Sequence, residues 1–216
     1  MDRRRFVAGL VAAGVGATAG CLDPLLAGAT SREATPATVS AAAAAETGYV
    51  HDETRTEVDE EEVGGETVEL TSHVAEYVRP VDLAGGTEVV AGGFAAIASP
   101  QVSIAGEEFN PVGEMDTREL TGFVRKRYAD LSIGDSIGGR TVETLGTSVE
   151  VETFAGEATF DEDAPVENLE TLDVRLDVAR FEHGGDHLVV GGVYPEMLPG
   201  EQARVTTLIE GLEHGD

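Results

Sequence analysis

Two histidines and two carboxylates fall within six residues at Glu182-His183-Gly184-Gly185-Asp186-His187. Imidazoles and carboxylates bind zinc and carry protons, so this run is the strongest candidate for chemistry in the chain. Its spacing argues against a shared ion. If Gly184-Gly185 is a two-residue turn, His183 faces Asp186, Glu182 faces His187, and the two histidines project to opposite faces of the ribbon. Such acid–imidazole pairs stabilise a hairpin by ~0.2–1 kcal/mol each. The other histidines, His51, His73 and His214, stand apart from one another among polar neighbours. No serine lies in a G-x-S-x-G elbow. Gly134-Asp135-Ser136-Ile137-Gly138-Gly139 has the composition of a turn.

The single cysteine, Cys21, has a different setting. Arg3-Arg4-Arg5 precede an apolar run, Phe6 to Gly20, which ends at Thr18-Ala19-Gly20-Cys21. About 15 helical residues at ~1.5 Å each cannot cross a ~30 Å hydrocarbon core, so the run reads as a signal-peptide h-region. Arg3-Arg4-x-Phe6 resembles the twin-arginine export motif, with Asp2 in place of the usual hydroxyl residue. Thr18-Ala19-Gly20-Cys21 resembles a lipobox, with Thr18 where leucine is common, and Cys21 is then the lipid attachment site and the new first residue. The run also contains Gly14-Val15-Gly16-Ala17-Thr18-Ala19, a G-x-G-x-x-A match. It lacks the βαβ context of a dinucleotide turn.

Charge describes the surroundings of the body. Asp and Glu number 41 against 14 Lys and Arg, a formal charge of −27, and removal of residues 1–20, which carry a net +2, leaves −29. Such self-repulsion opposes a compact state unless salt screens it; the Debye length is ~10 Å at 0.1 M and ~3 Å at 1 M. Lys126 is the only lysine. An acidic, lysine-poor surface fits a protein adapted to strong brine, and it excludes nucleic acid as a partner.

The elements that would position these groups follow from periodicity. Thr35 as N-cap, Pro36 at the first helical position, the alanines 41–45 and Gly48 as C-cap punctuate one helix. Tyr49–Val58 and Glu66–Arg79 read as strands around an acidic turn at 59–65, and Thr87–Ala98 reads as a strand containing Gly92-Gly93. Asp116 and Glu119 form a capping box for a second helix ending near Tyr128. Its basic run Arg125-Lys126-Arg127 suits the negative end of the helix dipole and is also a candidate anion contact. Residues 140–146 and 147–160 read as a strand pair. Leu172, Val174, Leu176 and Val178 alternate with Asp173, Arg175, Asp177 and Ala179, and the chain returns through His187-Leu188-Val189-Val190. Glu201–Leu212 reads as a closing amphipathic helix.

The export and lipidation residues, the acidic composition, and the segments Phe109-Asn110-Pro111-Val112, Tyr128-Ala129-Asp130-Leu131 and His183-Gly184-Gly185-Asp186-His187 through Val193-Tyr194-Pro195 resemble an uncharacterised family of haloarchaeal secreted lipoproteins. The resemblance implies no chemistry. The expected fold is α+β, a mostly antiparallel sheet with two or three helices packed on one face. Residues 1–20 are the expected signal peptide, 21–35 a lipid-proximal tether and 36–216 a single domain. The expected function is that of a non-catalytic binding domain on the outer face of the cell membrane. It is held there by lipid on Cys21, it engages an unknown protein or small molecule, and it needs no cofactor. The alternative is an extracytoplasmic metal-dependent hydrolase using His183 and His187.

Overall fold

The computed structural model describes residues 31–63, 66–82, 88–104, 107–108, 131–159 and 171–215. Arg3, Arg4, Phe6 and Cys21 lie outside the described residues, as do the expected helix from Asp116 to Tyr128 and its Arg125-Lys126-Arg127.

The elements are β1 (Ser31–Glu33), β2 (Ala37–Val39), α1 (Ala41–Thr47), β3 (Val50–Val63), β4 (Glu66–Asp82), β5 (Glu88–Pro100), β6 (Ser103–Ile104), β7 (Glu107–Glu108), β8 (Leu131–Thr144), β9 (Thr147–Thr159), β10 (Thr171–His183), β11 (Asp186–Pro195), α2 (Glu201–Glu210) and β12 (Leu212–His214). Seven strands form one antiparallel sheet in the order β3-β4-β5-β11-β10-β9-β8, so β5 and β11 join two meanders at its centre. β1 adds in parallel to β4, within the stretch read as tether, and β12 pairs with β2 apart from the main sheet. Among the described residues the protein is a mostly antiparallel sheet with two short helices.

Three local expectations are corrected. Ser40, not Thr35, caps α1: its Oγ accepts from the Ala43 N–H at 3.3 Å, while Gly48 closes the helix in the left-handed region as expected. Residues 37–39 cannot be helical because they are paired with 212–214. The acidic residues Asp59 to Glu62 are strand and not turn, since β3 remains in register with β4 out to Val63 opposite Glu66. Gly134 to Gly139 is also strand: β9 holds β8 across two register shifts, between Ile133 and Ser136 and between Ser136 and Gly138. Glycines that would favour a turn here absorb bulges at a sheet edge.

The alternation in β10 is present, but its second face is not solvent. Leu176 and Val178 pack with Phe154 and Val189 on one face, while Asp177 and Ala179, each 1% exposed, are buried on the other. α2 covers that second face through Val205, Leu208 and Ile209, all at most 1% exposed. Burying such side chains stabilises the fold by ~1.5–3 kcal/mol each. The close approach depends on Gly192 of β11, where a Cβ would come within 2.7 Å of a Val205 methyl. α1 meets the far end of α2, with Gly211 against Ala43.

Candidate functional site

Burying an aspartate at the centre of a sheet face requires partners for its charge. Asp177 Oδ1 accepts from the Thr153 hydroxyl at 2.6 Å, and Oδ2 accepts from Arg140 Nη2 at 2.8 Å and from the Tyr194 hydroxyl at 3.1 Å. Cross-strand register places these groups together: Thr153 is opposite Asp177 in the β9–β10 ladder, and Tyr194 is opposite Arg175 in the β10–β11 ladder. Arg140 reaches in from β8 and is fixed by Thr206 of α2 at 2.9 Å. Burial first, and the Asp177 charge second, raise the Tyr194 phenol well above its ordinary range, so it remains a protonated donor. Removing either Arg140 or Asp177 would strand the other charge, at a cost of ~3–5 kcal/mol.

Above this network lies a cleft of about 460 Å³, between the start of α2 and the sheet. Thr153, Arg175 and Tyr194 line its sheet side, Gly138 and Gly139 of the bulged β8 its outer edge, and Glu196 with Gln202 the wall opposite. Arg175 Nη2 donates to Glu196 Oε1 at 2.5 Å. Glu201, also on the wall and 1% exposed, receives Arg79 at 2.6 Å and Arg204 at 3.3 Å. Four of the seven described arginines therefore gather in and beneath this cleft, matched by three carboxylates. In so acidic a chain the site is close to neutral.

The histidine run lies at the other end of β10. Gly184 and Gly185 take φ of 60° and 87°, the two left-handed positions of a type I′ hairpin, and the register His183–Asp186 and Glu182–His187 is the expected one. His183 and His187 face opposite sides and are not brought together. His187 Nδ1 lies 3.8 Å from Glu182. Asp186, however, bonds to His214 rather than to His183, with Oδ2 at 3.1 Å from His214 Nε2 and 2.8 Å from the Thr35 N–H. His183 meets His214 instead, Nδ1 to Nδ1 at 2.9 Å. Among the described residues no group of three His, Cys, Asp or Glu side chains converges to hold a metal.

Residues 36–213 match the model of a domain of unknown function, DUF6517. The chain belongs to that family. The match spans the cleft and the hairpin residues of the histidine cluster, and leaves out Thr35 and His214 at its two ends. DUF6517 thus covers α1, α2 and nearly all of the sheet. No curated protein matches the chain.

Sequence reasoning missed Asp177, Tyr194, Arg140 and Glu201. The legible signal was Asp177, an acid between Leu176 and Val178 two residues before Ala179. Alternation alone does not reveal that a helix covers the face Asp177 shares with Ala179.

Proposed function

We propose that the chain is an extracytoplasmic, lipid-anchored binding domain adapted to high salt, and that the cleft beside α2 is its binding site. The anchor reading is supported by Arg3-Arg4-x-Phe6 and Thr18-Ala19-Gly20-Cys21. Binding rather than turnover is favoured by one observation: each charged group in the cleft is already held by a counter-charge. Catalysis needs a group free to attack or to exchange a proton. Guanidinium–carboxylate pairs instead act as fixed donors and acceptors, which suits a small polar ligand whose hydroxyls or amide can bridge them.

The finer fold description belongs to the same reading, an α+β domain at 36–216 with its helices over one face. Thr35 is tied to the tip of the β10–β11 hairpin, whereas the cleft opens eight residues back along β10, roughly 26 Å away. A tether leaving before Ser31, where β1 runs beside β4 beyond the hairpin tip, would point the cleft away from the bilayer.

Two measurements test this proposal. Cys21→Ala should move the protein from the membrane fraction to the soluble one; retention in the membrane would overturn the anchor. In molar KCl, a thermal-shift panel of sugars, amino acids and betaines should yield a stabilising compound. Gln202→Ala and Arg175→Ala should abolish that shift, and a shift that survives both substitutions would place binding elsewhere.

A further inference from the structure

The hairpin tip, the C-terminal strand and the start of the domain meet in one hydrogen-bonded line, Thr35–Asp186–His214–His183. The His214 side chain is fully buried, at 0% exposure, and both of its nitrogens are engaged. The two rings meet edge to face, with centroids 5.2 Å apart and an interplanar angle of 73°. Gly184 makes room for the contact, since a Cβ there would lie 2.9 Å from the Gly215 carbonyl oxygen and 3.2 Å from His214 Cε1.

We infer that His183 and His214 form a proton-limited clasp, closed while the pair carries at most one positive charge and opened by the second proton. Proton counting gives the limit. With His214 Nε2–H donated to Asp186, a neutral His214 presents a lone pair at Nδ1, and His183 Nδ1–H donates to it. One added proton leaves the contact intact, because it occupies either His183 Nε2, or His214 Nδ1 with His183 Nδ1 then accepting. A second added proton puts N–H on both facing Nδ1 atoms, and the bond becomes a repulsive contact between two cations.

Among the described residues, Asp186 of β11 is the only charged group bonded to the pair. Glu182 of β10 and His187 of β11 face the other side of the hairpin and meet each other. Glu213 of β12 is exposed, and Glu33 of β1 is taken by His73 of β4. No other described group of β10, β11, β12, β1 or β2 supplies a second negative charge to hold a doubly charged pair.

The open form binds one more proton than the closed one, so acid favours opening, by up to tenfold per pH unit. Opening parts His183 from His214, which leaves β12 and Thr35 held to the hairpin through Asp186 alone. Acidity would thereby loosen the two ends of the domain while the sheet stays folded.

The test is hydrogen exchange on the folded protein in molar KCl, read as protection factors for amides 37–39 and 212–214 against Val151 and Leu176 as internal references. Protection of the first group should fall between pH 6.5 and 5 with a slope approaching tenfold per unit, and the references should stay constant. His183→Asn, whose amide can still donate to His214 but takes no charge, should flatten that slope. His187→Asn, on the opposite face, should leave it unchanged. A flat wild-type profile, an unaltered slope in His183→Asn, or loss of the slope in His187→Asn would each overturn the clasp.

Discussion

Single residues carry more of this molecule's polar chemistry than its composition suggests. Arg55 serves three glutamates, at 3.6 Å from Glu53, 3.5 Å from Glu57 and 3.3 Å from Glu76. Burial raises the Glu76 carboxyl above its ordinary value, Arg55 pulls against that, and Glu53, Asp52 and Glu57 push it up further. A raised folded value means that the native state holds the Glu76 proton more tightly than the unfolded chain does. The resulting stabilisation is complete below the ordinary glutamate range near ~4.3 and is lost as pH rises through the folded value. Glu76→Gln should therefore melt a little higher than the parent at pH 7, and the difference should shrink as pH falls toward 4.5. Melting curves across that range check it, and an equal gap at both ends would contradict it. The hairpin pairs at residues 182–187 were legible because two glycines fix a register by local rules. His214 was not, since nothing in Glu213-His214-Gly215 says that the segment pairs with residues 37–39, some 175 positions away.

Elements were legible where periodicity and caps agree and illegible where composition misleads. β10, β11 and α2 follow their patterns closely because alternation and a 3.6 period record which face is buried. β8 and the end of β3 were misread because glycine and acid runs favour turns in isolation, whereas here a neighbouring strand supplies the ladder bonds. The helix–sheet contact is sensitive to single atoms. Gly192→Ala would push Cβ into Val205 and lift α2, costing ~1–3 kcal/mol. Urea unfolding in KCl should show that loss. Gly192→Ala combined with Val205→Ala should recover part of it, and no recovery would mean that the cost has another origin.

At the scale of the whole molecule, the strand order could not be read from the sequence. Pairing β11 with β5 rather than with a later neighbour joins residues about 90 positions apart, and no local pattern encodes that choice. The distribution of charge is easier to trace. Exposed Asp52, Glu53, Glu57, Asp59 and Glu60 lie along β3, one edge of the sheet. Charge there discourages pairing with another strand and adds to the repulsion behind the formal −27. Raising KCl from 0.1 M to 2 M should relieve several kcal/mol of that repulsion and lift Tm by roughly 10 °C. A Tm indifferent to salt would remove charge from the explanation.

The clasped ends carry one more implication. His214 pairs with Ala37, and Gly215 packs against the Thr35 methyl, so the linear order of this domain records only where a nearly closed ring of chain happens to be cut. A few residues joining Gly215 to Ser31, with a new break between β9 and β10, would preserve every ladder of the sheet. The same circular dichroism should result. A tether attached at that new break would leave from the cleft's end of the sheet, opposite the clasped termini.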